Sequence, residues 1–130
     1  MDKFKQIFSG LQIAYGQYQP SGRGENGKQK GKAFIVRKTV TDDLWINHLK
    51  GEGPALGIIP ITEDNSCRWG CIDIDEYNFD HLSLIKSIRS LNLPLIVCRS
   101  KSGGAHVFLF TKENIPASLM QSKLKQMSKT

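Results

Sequence analysis

Residues 68–77 read RWGCIDIDEY, an apolar run that carries two aspartates, Asp73 and Asp75, one residue apart. Aspartate is disfavoured in strands and costly to bury. The acids nevertheless alternate with Ile72 and Ile74, and CRWGCIDID (67–75) reads as a strand. In a strand, Asp73 and Asp75 share one side while Ile72 and Ile74 face the other. Two positions along a strand separate Cα atoms by about 6.6–7 Å, a gap over which two carboxylates can lean together and share one or two divalent ions. A tight turn or a structural salt bridge is an alternative account of the same pair.

The segments around this strand set the fold class. Before it, Phe4, Ile7, Phe8, Leu11 and Tyr15 recur at helical spacing and predict an amphipathic helix within 2–15, weakened by Gly10. GQYQPSGRGENGKQKGK (16–32) has five glycines, a proline and mostly polar residues, which predicts a flexible basic loop. AFIVRKTV (33–40) reads as a strand. Thr41 as N-cap, with Asp42 and Asp43 in the first turn, then opens a helix that Gly51 or Gly53 stops. ALGIIPI (55–61) is a further strand. After the aspartates come a helix capped by Asp80, the strand LPLIVCRS (93–100), the strand AHVFLF (105–110) and a polar helix after Pro116. This order predicts an α+β fold, a mainly antiparallel sheet with helices packed on it. No internal repeat or linker divides the chain, so residues 1–130 are expected to form a single domain.

Composition narrows the function classes. The 130 residues carry 18 Lys and Arg against 12 Asp and Glu, a net charge of +6, which suits a polyanionic partner. The distribution is more telling. Arg23, Lys28, Lys30, Lys32, Arg37 and Lys38 stand within 23–38 against one acid, Glu25, whereas the acids gather from Asp42 onward and densely over 73–80. A basic arm beside an acidic centre fits a metal-dependent enzyme acting on phosphates; a solvated loop beside a salt-bridged surface fits it too. No apolar run approaches the roughly 18 residues of a membrane span, and MDKFKQIFSG lacks a signal-peptide core. Cys67, Cys71 and Cys98 have no matching His/Cys set at zinc spacing and read as reduced thiols of a cytoplasmic protein.

A second constellation follows the aspartates. CRSKSGGAHVFLF (98–110) joins two apolar strands through a short polar turn. Gly103 and Gly104 permit close approach of backbone to a ligand, with amides able to point at an anion. Ser100 and Ser102 supply hydroxyls, Arg99 and Lys101 supply charge, and His106 opens the outgoing strand, where a ring nitrogen can donate to a phosphate oxygen. An ordinary Gly-Gly hairpin and a satisfied strand histidine are the alternatives.

Taken together, CIDID (71–75) and SKSGGAH (100–106) resemble two motifs of the archaeo-eukaryotic primase superfamily. Within it, the chain looks like the primase-polymerase domains of mobile elements and conflict systems, of the TOTE type. The resemblance covers roughly residues 4–111 and implies an RRM-like catalytic core. By it, Asp73 and Asp75 are the catalytic pair holding Mg²⁺ or Mn²⁺. Ser100, Ser102, Gly103 and His106 engage the nucleoside triphosphate, and the basic arm lies near a DNA or RNA template. It further implies a downstream helicase or nuclease domain. The superfamily's third acidic residue has no counterpart, since only Glu113 follows His106. The chain is therefore expected to be the N-terminal, partial portion of a primase-polymerase module.

Three functions compete at this point. The first is a nucleotidyltransferase portion making DNA or RNA primers. The second is a catalytically inactive nucleic-acid- or nucleotide-binding module. The third is another metal-dependent nuclease or nucleotidyltransferase built on the aspartate pair.

Overall fold

The structure, a computed structural model, describes residues 2–23, 29–76, 78–101 and 103–129. It is α+β. Instead of one sheet it carries two three-stranded antiparallel sheets. Contacts divide the chain into two compact units, Met1–Asn65 and Ser66–Thr130, with one sheet in each.

The first unit runs α1 (Asp2–Ile7), β1 (Tyr15–Arg23), β2 (Gln29–Val36), α2 (Asp42–Lys50) and β3 (Ala55–Gly57), with sheet order β2-β1-β3. Its core joins Tyr15, Val40 and Trp45, with Phe8, Val36, Leu44, Leu56 and Ile58 packed around them. α2 forms as its caps dictate. Thr41 Oγ1 accepts from the Leu44 amide at 3.4 Å, and Gly51 ends the helix in the left-handed region at φ 73°.

Two expectations fail in this unit. The first helix stops at Ile7 rather than reaching Tyr15. Gly10 is pressed against the backbone at Ile59, the Leu11 amide donates to the Ile59 carbonyl at 2.8 Å, and Tyr15 is spent in the core as a strand residue. Tertiary packing overrides the helical spacing here. The second correction concerns 16–32, expected as a loop. Its two ends pair as the β1–β2 hairpin, from Tyr15↔Val36 to Arg23↔Gln29, with a bulge between Pro20 and Gly22. Glycine serves packing within this hairpin. A Cβ on Gly31 would meet the Tyr18 ring at 2.4 Å, so the tyrosine covers the glycine across the strands.

The second unit runs β4 (Ser66–Ile74), α3 (His81–Ser90), β5 (Ile96–Arg99), β6 (Ala105–Pro116) and α4 (Ala117–Ser128), with order β4-β6-β5. Asp80 caps α3 through Oδ1, which accepts from the Ser83 amide at 3.0 Å. One face of the sheet buries Ile72, Ile74, Ala105, Val107 and Val97 with Leu84 and Ile88 of α3. Farther along the sheet, Met120 and Leu124 of α4 sit over Gly70, where a Cβ would approach them to 2.8–2.9 Å. No helix among the described residues is long and apolar enough to cross a membrane.

Gly10→Ala is expected to destabilise the protein by about 1–3 kcal/mol through overpacking. A Cβ at that position falls 2.2 Å from the Ile59 carbonyl oxygen, which is backbone and cannot rotate away. Urea unfolding of the two proteins measures this; an unchanged midpoint would contradict the packing described.

Candidate functional site

Strand register builds the site. β4 and β6 pair antiparallel with Ile72↔Val107, Asp73↔His106 and Ile74↔Ala105, while β5 pairs on the other side of β6 with Cys98↔His106. Residues directly opposite one another share a face of the sheet. Asp73, His106 and Cys98 therefore form one row across three strands, and Cys71, Phe108 and Ile96 form the next. The apolar residues between them, Ile72, Ala105 and Val107, point into the core beneath α3. Burying that face leaves Asp73 and His106 on the other.

The two side chains meet. His106 Nε2 lies 3.2 Å from Asp73 Oδ1, with 43% and 59% of the side chains exposed, an ion pair when the imidazole is protonated. Phe108 packs edge-on against the His106 ring at 6.1 Å and stacks with Phe110 at 5.7 Å, and the rings form a ladder along β6. Asp75 is exposed and lies one residue beyond the end of β4. The cause is visible in the partner strand. β6 begins at Ala105, opposite Ile74, so nothing extends the ladder to Asp75.

The polar turn between β5 and β6 closes beside this strand end. The Ser100 amide donates to the Gly104 carbonyl at 3.1 Å, and the Gly103 amide donates to the Ser100 carbonyl at 3.1 Å. Gly104 must be glycine, because a Cβ there would fall 1.9 Å from the Ile74 carbonyl oxygen. That contact sets the turn directly against the Ile74–Asp75 segment. Gly103 adopts φ +92° and has open space where a side chain would stand. Ser100 is buried at the base of the turn, 8% exposed. Ser102 lies outside the described residues. His81, which the sequence reading passed over, also touches this turn: its Nε2 lies 2.8 Å from the Gly104 carbonyl oxygen. No sequence motif marks it, since the contact spans 23 positions.

Of the basic arm, Lys32 lies exposed on β2, and Arg37 and Lys38 follow that strand, exposed. The backbones of Arg23 and Lys30 belong to β1 and β2 at the hairpin's far end, where Gly22 pairs with Lys30. Lys28 lies outside the described residues. These positions belong to the first unit and Asp73 and His106 to the second.

The donor set fits a hard divalent ion only in part. Two exposed carboxylates, one of them paired with an imidazole, suit Mg²⁺ or Mn²⁺, which take one or two carboxylates and complete their shell with phosphate and water. Among the described residues, no three His, Cys, Asp or Glu side chains come together to hold a metal. Glu113 cannot supply the third. It lies toward the opposite end of β6, seven residues from His106, or about 23 Å along a strand. Burial pushes the Cys67 thiol up, and burial together with the Asp73 charge does the same for Cys71, against a lowering backbone hydrogen bond at Val107.

A family model described as TOTE conflict system, Archaeo-Eukaryotic Primase domain matches residues 6–130. Among curated proteins, none matches the chain.

The environments of the three free thiols predict an order of alkylation. Cys98 is exposed, whereas Cys67 is buried and the raised thiols of Cys67 and Cys71 stay protonated at neutral pH. Iodoacetamide at pH 7.5, followed by peptide mass mapping, is expected to label Cys98 first. Preferential labelling of Cys67 would contradict the burial of β4.

Proposed function

The chain belongs to the archaeo-eukaryotic primase domain family of TOTE conflict systems, and we propose that it is the nucleotide- and metal-binding portion of a primase-polymerase. The observation that carries this reading is the pairing of Asp73 with His106 across β4 and β6, beside a glycine turn able to receive an anion. The reaction is nucleotidyl transfer. A primer 3′-hydroxyl oxygen bonds to the α-phosphorus of a nucleoside triphosphate, the bond to the bridging oxygen breaks, pyrophosphate leaves, and the hydroxyl proton passes to solvent.

Asp73 and Asp75 hold Mg²⁺ or Mn²⁺, which when bound neutralises charge on the triphosphate as it develops. His106 orients the Asp73 carboxylate through Nε2 and donates to a phosphate oxygen. Gly103, with Ser100 shaping the turn, admits the triphosphate close to the backbone, and Ser102 supplies a hydroxyl. Arg23, Lys28, Lys30, Lys32, Arg37 and Lys38 track the DNA or RNA phosphates, with the salt dependence that such contacts impose. The setting is cytoplasmic, as part of a mobile-element or defence system whose partners include a helicase or nuclease domain.

β4-α3-β5-β6-α4 supplies five elements of a β-α-β-β-α-β unit, in which a sixth strand lies antiparallel along the outer edge of the first. That edge is β4, the strand of Asp73. The second reading, an inactive nucleotide- or nucleic-acid-binding module, is favoured by one observation: no three acidic or imidazole groups converge among the described residues.

Primer synthesis and extension on single-stranded templates, with Mn²⁺ and all eight nucleoside triphosphates, test this reading. The expected result is activity lowered at least about 100-fold by Asp73→Ala, the scale of losing an electrostatic contact to the transferring group. Synthesis indifferent to Asp73→Ala would overturn it. Absence of synthesis, with Mn²⁺-dependent nucleotide binding that Asp75→Ala and His106→Ala abolish, identifies a half-module. Nucleic-acid binding indifferent to both variants identifies the inactive module.

A further inference from the structure

Gly104 carries more hydrogen bonding than a hairpin turn requires. Its carbonyl accepts from the Ser100 amide at 3.1 Å, which closes the turn, and it also stands 2.8 Å from His81 Nε2. A carbonyl oxygen only accepts, so His81 Nε2 carries the proton and donates. Both lone pairs of that oxygen are thereby occupied.

His81 is held for the purpose. It is the first residue of α3, directly after the Asp80 cap, so the helix start fixes its backbone. Phe79, packed into the core cluster of Ile88, Ala105 and Val107, meets the imidazole edge-on at 5.1 Å and 89°. The ring is thus oriented from one side by a core aromatic and from the other by the turn. The peptide that it fixes leads through Ala105, fully buried, to His106 two residues later.

We propose that His81 is a positioning residue that holds the Ser100–Gly104 turn in the form that receives a triphosphate. This rests on the phosphate-binding role proposed for that turn. Without the imidazole, the Gly104 carbonyl keeps only its bond within the turn, and the peptide is free to rotate away from Ile74. His81 acts on the turn through the Gly104 carbonyl, which its Nε2 meets at 2.8 Å. The effect therefore falls on phosphate affinity.

The test uses the whole chain, with inorganic tripolyphosphate and Mn²⁺ as the probe, titrated by calorimetry. Backbone amide exchange over residues 100–104 is followed in parallel. His81→Leu removes the donor. His81→Gln keeps an N–H at nearly the reach of Nε2. His81→Leu is expected to weaken tripolyphosphate binding about tenfold, the scale of one hydrogen bond, and to speed exchange at Ser100 and Gly103. His81→Gln is expected to stay within about threefold of the unmodified chain. Should the leucine variant not fold, His81→Asn, whose donor stops short of Gly104, takes its place. Equal affinity in the donor-less variant, or equal loss in the glutamine variant, overturns the positioning role alone. Failure of the unmodified chain to bind tripolyphosphate, whatever the exchange pattern, overturns the phosphate-binding reading of the turn and this inference with it.

Discussion

Everything proposed for this protein depends on the register between β4 and β6. The pairing Asp73↔His106 holds because its neighbours on both strands, Ile72 with Val107 and Ile74 with Ala105, are drawn into the core beneath α3. A slip of one residue would turn the aspartate and the histidine inward and the isoleucines outward, which burial forbids. The hydrophobic effect thus positions two polar groups that it does not itself touch. Gly104 locks the same register at its end, since only a residue without a Cβ fits against the Ile74 carbonyl.

This constraint also explains which parts were legible in the sequence. Alternation of isoleucine with aspartate, and of Val107 and Leu109 with His106 and Phe108, is a period-two signal that directly encodes a two-faced strand. The caps at Thr41 and Asp80 were equally legible, because side chain and amide lie three residues apart and need no tertiary context. The α+β class followed from these elements. The division into two sheets did not, because strand partners are set by contacts that no local pattern records.

The misreadings have a common cause. Residues 16–32 look like a loop because glycine and proline usually punctuate structure. Here Gly31 makes room for the Tyr18 ring, and Pro20 and Gly22 flank a bulge, so the same residues build a hairpin. The first helix ends early for a similar reason: Tyr15 is worth more in the core than at the end of an exposed helix. At the site, Asp73 and His106 were visible as residue types in motif order, whereas His81 was not. A histidine at a helix start has many unremarkable uses, and its bond to Gly104 exists only once α3 has folded back over the turn.

The central claim of the proposal is that Asp73 and Asp75 hold one divalent ion at the end of β4, with His106 and the adjoining turn meeting the phosphates of a nucleotide. Paramagnetic broadening of amide resonances by sub-stoichiometric Mn²⁺, in the presence of a nucleoside triphosphate, measures this directly. The account predicts loss of signal confined to the end of β4 around Asp73 and Asp75, the turn from Ser100 to Gly104, and the start of β6 at His106. Broadening centred instead on the other acidic positions, at Asp42 and Asp43 or at Glu63 and Asp64, would contradict it.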